Sequence, residues 1–237
     1  MTTIDREPPV ASPPLSDGQR LDRATFHERY EAMPPEFRAE LIGGVVHVMT
    51  SPLRRRHGAV SARAALWLGM YSARTPGVQV FHDASTLLDD EAEPQPDLSM
   101  RIAPEFGGQT HDVGKYIGGA PELIVEVSDT SRAIDLGPKL ADYERAGILE
   151  YVVVALDPDD VFWHVRRGDR FVRVAPDPDG LHRSEVFPGL WLDPRALLVD
   201  DTAALLAALE RGLATPEHGA YVARLDATRR TPDSPEA

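Results

Sequence analysis

The sequence predicts an α/β fold, a mixed β-sheet flanked by helices, on three observations. First, Glu122–Val127 and Glu150–Leu156 are short apolar runs. Between them, a segment punctuated by Gly137-Pro138 and ended by Gly147 reads as a helix. A strand, one helix and a strand make a crossover unit with parallel strands buried on both faces, and the crossover is expected to be right-handed. Second, two hairpins are written as antiparallel pairs: 38–49 around Gly43-Gly44, and 161–174 around Arg167-Gly168-Asp169. Third, Val60, Ala64, Trp67 and Tyr71 fall at i, i+4, i+7 and i+11, one apolar helical face.

The elements follow in order. Residues 1–20 carry Pro8, Pro9, Pro13 and Pro14 with few large apolar groups, so this segment is expected to be disordered. Thr25 to Met33 reads as a short helix stopped by Pro34-Pro35. The glycine pair at 43–44 supplies the positive φ angles of a tight hairpin turn. A long helix starts near Arg56, and 78–88 and 97–102 read as extended. The stretch 104–119 is glycine-rich without a period and reads as a loop. A helix over 203–213 closes the domain, placed at 21–214, and 215–237 reads as a flexible tail.

Composition excludes several classes of protein. The 237 residues contain no cysteine, which removes disulfides, zinc–thiolate sites and a cysteine nucleophile. No apolar run approaches the ~20 residues that span a bilayer, and the first 18 residues lack the apolar core of a signal peptide. A cytoplasmic protein without membrane contact is therefore expected. The net charge of −13 argues against coating nucleic acid by bulk electrostatics, although it leaves room for a local basic patch such as Arg54-Arg55-Arg56-His57. The histidines at 47, 82, 111, 164 and 182 share no spacing that suggests zinc.

The residues that could carry chemistry are few. Glu126 interrupts the apolar run Leu123-Ile124-Val125-Glu126-Val127, and a mid-strand carboxylate is costly unless it is paired or bound to a cation. Asp97, in Pro96-Asp97-Leu98, stands at the start of a strand, where a neighbouring strand can bring Glu126 beside it. Two adjacent carboxylates repel unless a proton or cation lies between them. Lys139 lies in the first turn of its helix, against the preference of the helix dipole. Two acids can hold a hard divalent cation, and a lysine can hold or activate what attacks. No phosphate-cradling glycine loop, nucleophile elbow or dinucleotide fingerprint is present.

In combination these residues resemble a family. The stretches Glu40-Leu41-Ile42-Gly43-Gly44, Ser51-Pro52 with His57, Pro96-Asp97-Leu98 and Val125-Glu126-Val127-Ser128 occur in that order. They are followed by a run from Asp135 to Tyr151 and by Phe187-Pro188-Gly189-Leu190-Trp191-Leu192-Asp193-Pro194. The order is similar to that of the Uma-type restriction endonucleases, a bacterial family of the PD-(D/E)XK nuclease superfamily, over about residues 25–200. The resemblance implies a restriction-endonuclease-like core and metal-dependent hydrolysis of phosphodiester bonds in DNA. Asp97 and Glu126 would ligate Mg²⁺ or Mn²⁺, and Glu40 would be an accessory acid. The superfamily's usual lysine position, two residues after the second acid, is Ser128 here, which makes Lys139 the substitute. Gly43-Gly44-Val45 replaces the more usual Asp-Gly-Glu of the hairpin. His57 matches a family position without an assigned role. A homodimer would suit cutting of both strands. The alternative is a catalytically inactive nuclease-fold module that binds nucleic acid or protein. A further alternative is a metal-dependent phosphoesterase acting on small molecules.

Overall fold

The computed structural model describes residues 13–49, 52 and 54–229. Helix α1 (Arg23–Glu31) starts where Asp22 accepts the Thr25 N–H, and it leads into the hairpin β1 (Ala39–Ile42) and β2 (Val45–Val48). Gly43 and Gly44 turn that hairpin with φ of 55° and 71°, values that disfavour any residue with a Cβ. The long helix α2 (Arg55–Arg74) follows, then β3 (Val78–His82), β4 (Thr86–Leu87) and β5 (Leu98–Ile102). Short strands β6 (His111–Val113) and β7 (Tyr116–Gly118) precede β8 (Leu123–Ser128). Helices α3 (Arg132–Asp135) and α4 (Pro138–Ala146) connect β8 to β9 (Glu150–Leu156). The chain finishes with the hairpin β10 (Asp159–Arg167) and β11 (Arg170–Val174), short strands β12 (His182–Arg183) and β13 (Trp191–Leu192), and helices α5 (Pro194–Leu198), α6 (Thr202–Leu213) and α7 (Pro216–Thr228).

The central sheet has six strands in the order β11-β10-β9-β8-β5-β3. Only β8 and β9 are parallel, so the sheet is mixed; of the two expected hairpins β10–β11 lies in it, whereas β1–β2 forms a two-stranded sheet of its own. Side chains alternate across β8 and split it between two environments. Leu123, Val125 and Val127 join Val152, Val154 and Trp163 in an apolar core closed by α2 through Val60, Ala64, Trp67 and Tyr71. Ile124 faces the other way, onto Tyr143, Ile148, Tyr151 and Val153 under α4, and Glu126 shares that second face.

Three expectations need correction. The stretch 104–119 is not simply a loop: β6 and β7 form a hairpin, and β4 pairs with β7 in a three-stranded sheet. All three residues of β6 are exposed, so it carries no apolar alternation to read. Of the tail expected to be loose from Thr215, residues 230–237 lie outside the described part, and residues 216–228 form α7. Thr215 caps it by accepting the His218 N–H, Pro216 occupies its first turn, and Tyr221 and Leu225 are buried one turn apart. His218 shares a 3.0 Å hydrogen bond with Thr75 at the end of α2, which ties the tail to the core. Of the amino-terminal segment, residues 1–12 lie outside the described part. Leu15 is nevertheless buried beside Phe26 and Leu41, and the Gly18 N–H donates to the Val46 carbonyl at 2.8 Å. No helix among the described residues is long and apolar enough to cross a membrane.

Candidate active site

The register of the sheet builds the site. Leu98 of β5 pairs with Val125 of β8 in an antiparallel ladder. The step beyond that pair places Asp97 opposite Glu126, and directly opposed residues in such a ladder share one face of the sheet. The Asp97 N–H lies 3.3 Å from Glu126 Oε2, while Asp97 Oδ2 accepts the Val127 N–H at 2.6 Å. Each acid is therefore held by its neighbour's strand.

Lys139 reaches this pair from α4. The turn Gly137-Pro138 starts the helix on the sheet's second face, and the buried Nζ lies 2.9 Å from Glu126 Oε1 and 2.9 Å from Glu40 Oε1. Glu40 comes from β1 and also accepts the Gln95 N–H at 2.7 Å. Asp142 of α4 accepts the Gly43 N–H at 2.7 Å and so pins the hairpin that carries Glu40. Thus Glu40, Asp97, Glu126 and Lys139, singled out in the sequence, meet along one cleft of about 660 Å³. His57, in the first turn of α2, lies 3.6 Å from Asp97.

Sequence reasoning missed two members. Tyr143 of α4 donates its hydroxyl to Glu126 Oε1 at 2.9 Å. Asp135, buried at the end of α3, accepts the Ser131 hydroxyl at 2.5 Å and lines the cleft. Both fall inside the run 135–151, where a polar group at helical spacing from Lys139 was the available signal. Ser51, part of the Ser51-Pro52 stretch, lies outside the described residues.

The electrostatics are one-sided. Burial pushes the Glu126 carboxyl well above its usual range; Lys139 opposes this, and Asp97, Asp135 and Glu40 add to it. Burial works against the Lys139 charge as well, but Glu126, Glu40 and Asp135 together outweigh it and raise the ammonium's pKa. Asp135 is raised by burial, again with Lys139 opposing. Asp97, 3.6 Å away, raises the His57 imidazole, against burial. Three carboxylates thus share one lysine, with Asp97 beside Glu126 as a fourth acid, and a further cation would relieve their repulsion.

The donors suit a hard divalent cation. Among the described residues no three His, Asp or Glu side chains converge as an all-protein metal cage. Magnesium needs none: it keeps several waters and takes one or two carboxylates beside substrate phosphate oxygens. Asp97 and Glu126 match that requirement. At the mouth of the cleft Arg54 pairs with Asp129 at 3.1 Å and stays largely exposed.

Fold and cleft together define an α/β protein with a buried carboxylate–lysine centre. The chain belongs to the Uma2 family, described as "Putative restriction endonuclease", whose model matches residues 24–195. Its fold is similar to a crystal structure described as "a putative nuclease belonging to DUF820 from Anabaena variabilis ATCC 29413". The TM-score is 0.54 at 15% identity, over 72% of this chain and 96% of that one. A search of the curated proteins gives no match.

Proposed function

We propose that the protein is a metal-dependent DNA endonuclease of the PD-(D/E)XK type, with Lys139 supplied by helix α4. The observation that carries this reading is the pairing of Asp97 with Glu126 across adjacent strands, with Lys139 buried against Glu126. Membership of a family described as "Putative restriction endonuclease" supports this reading. Asp97 and Glu126 would hold Mg²⁺ or Mn²⁺. The bound cation would offset charge developing on the phosphate and make water a better nucleophile at neutral pH.

The chain's own residues have separable tasks. An ammonium has three N–H donors, and Lys139 spends two on Glu126 and Glu40. The third would orient the attacking water. Glu40 holds the ammonium in line, and the Gln95 N–H fixes Glu40 in turn. Arg54 at the rim would offer a phosphate contact beside the acids of the cleft.

The test is cleavage of supercoiled plasmid with Mg²⁺ or Mn²⁺, comparing wild type with Asp97→Ala at equal, verified folding. Nicking or linearisation by wild type alone is expected. Equal cleavage by Asp97→Ala would sink this reading. No cleavage by either protein across several DNA forms would move the weight to a non-catalytic module.

A further inference from the structure

We propose that Tyr143 is a positioning residue that dictates which oxygen of Glu126 faces the cation, an inference that rests on the metal-dependent reading above. Tyr143 lies four residues after Lys139 on α4, one turn along the same helical face. Its ring is fully buried and packs edge-on against Tyr151 at 4.8 Å, which fixes where the hydroxyl points. That hydroxyl donates to Glu126 Oε1, the same oxygen that takes the Lys139 ammonium, both at 2.9 Å.

A carboxylate oxygen has roughly two lone-pair sites. Two donors at normal distance occupy both on Oε1. Among the described residues Oε2 receives only the Asp97 N–H, at a long 3.3 Å, and lies on the Asp97 side of the carboxylate. Oε2 is therefore the oxygen with capacity left, next to the second acid of the pair. Without the tyrosine hydroxyl, the Glu126 carboxylate could rotate and present either oxygen, and the cation would meet a less ordered ligand. Tyr151 supplies the contrast. It is equally buried, yet its hydroxyl donates to the Asp135 carbonyl at 3.0 Å and makes no hydrogen bond to Glu126.

The experiment is calorimetric titration of Mn²⁺ into the full chain as wild type, Tyr143→Phe and Tyr151→Phe, with thermal unfolding measured alongside. Each substitution removes one buried hydroxyl and keeps the ring. Tyr143→Phe is expected to weaken Mn²⁺ binding by about tenfold or more, the usual effect of losing a hydrogen bond to a metal ligand. Tyr151→Phe should lower the melting temperature but leave the Mn²⁺ affinity at the wild-type value. Unchanged affinity in Tyr143→Phe overturns the inference and leaves the metal reading standing. Equal loss in both variants also overturns it, because general packing would then suffice. Failure of wild type to bind Mn²⁺ removes the metal reading together with the inference.

Discussion

Glu126 and Glu150 lie on the neighbouring parallel strands β8 and β9, and both are buried, yet their surroundings differ in kind. Glu150 is met by neutral donors: the Ser184 hydroxyl at 2.6 Å and the Glu185 N–H at 2.7 Å. Burial raises it to about 7, and those hydrogen bonds hold it from going further. Its job is to anchor the loop before β13. Glu126 instead shares its space with Asp97, Asp135, Glu40 and one lysine, and it opens on the cleft. A buried acid met by N–H and O–H donors is raised chiefly by burial, and those donors oppose the rise. A buried acid crowded by other acids is complete only when a proton or cation is added.

The contrast can be broken at several points. The largest effect is expected at the acid pair: Asp97→Ala should reduce metal-dependent cleavage about 10³-fold or more, since a bound cation contributes several kcal/mol to such a transition state. Circular dichroism should show the fold retained. Next comes Lys139→Met, which leaves Glu126 and Glu40 buried without their cation. It should cost about 3–5 kcal/mol in urea denaturation.

Glu150 makes a pH prediction. Its folded pKa of about 7 exceeds the usual 4.5, so the folded state binds its proton more tightly. The associated stability is full below about pH 4.5 and is lost as pH rises through about 7, by roughly 3 kcal/mol. Glu150→Gln should flatten that decline, measured as denaturation midpoints between pH 4.5 and 8. The smallest effect lies far from either acid: Thr215→Ala removes the cap of α7 and should cost about 1 kcal/mol.

How much of this was legible in the sequence follows the same contrast. The two faces of β8 were readable, because alternation of Leu123, Val125 and Val127 against Glu126 is a local pattern. The meeting of Asp97 with Glu126 was half readable: the strands were visible, but register is fixed by pairing across the sheet. Tyr143 was hidden because a tyrosine at core spacing looks apolar whether or not its hydroxyl reaches a carboxylate. Glu126 interrupts an apolar run and Glu150 opens one, and neither position tells what meets the carboxylate. What separates them is Ser184 and Glu185, more than thirty residues away. The helix α7 was missed because Pro216 and Gly219 read as breakers, whereas Pro216 sits in the first turn, where its missing N–H costs nothing.

The most direct measurement sets the two glutamates side by side. Supercoiled plasmid would be incubated with Mn²⁺ and wild type, Glu126→Gln or Glu150→Gln, each verified as folded. Wild type and Glu150→Gln should both cleave, and Glu126→Gln should leave the plasmid intact. Cleavage by Glu126→Gln at the wild-type rate would contradict the assignment of Glu126 to the reacting centre.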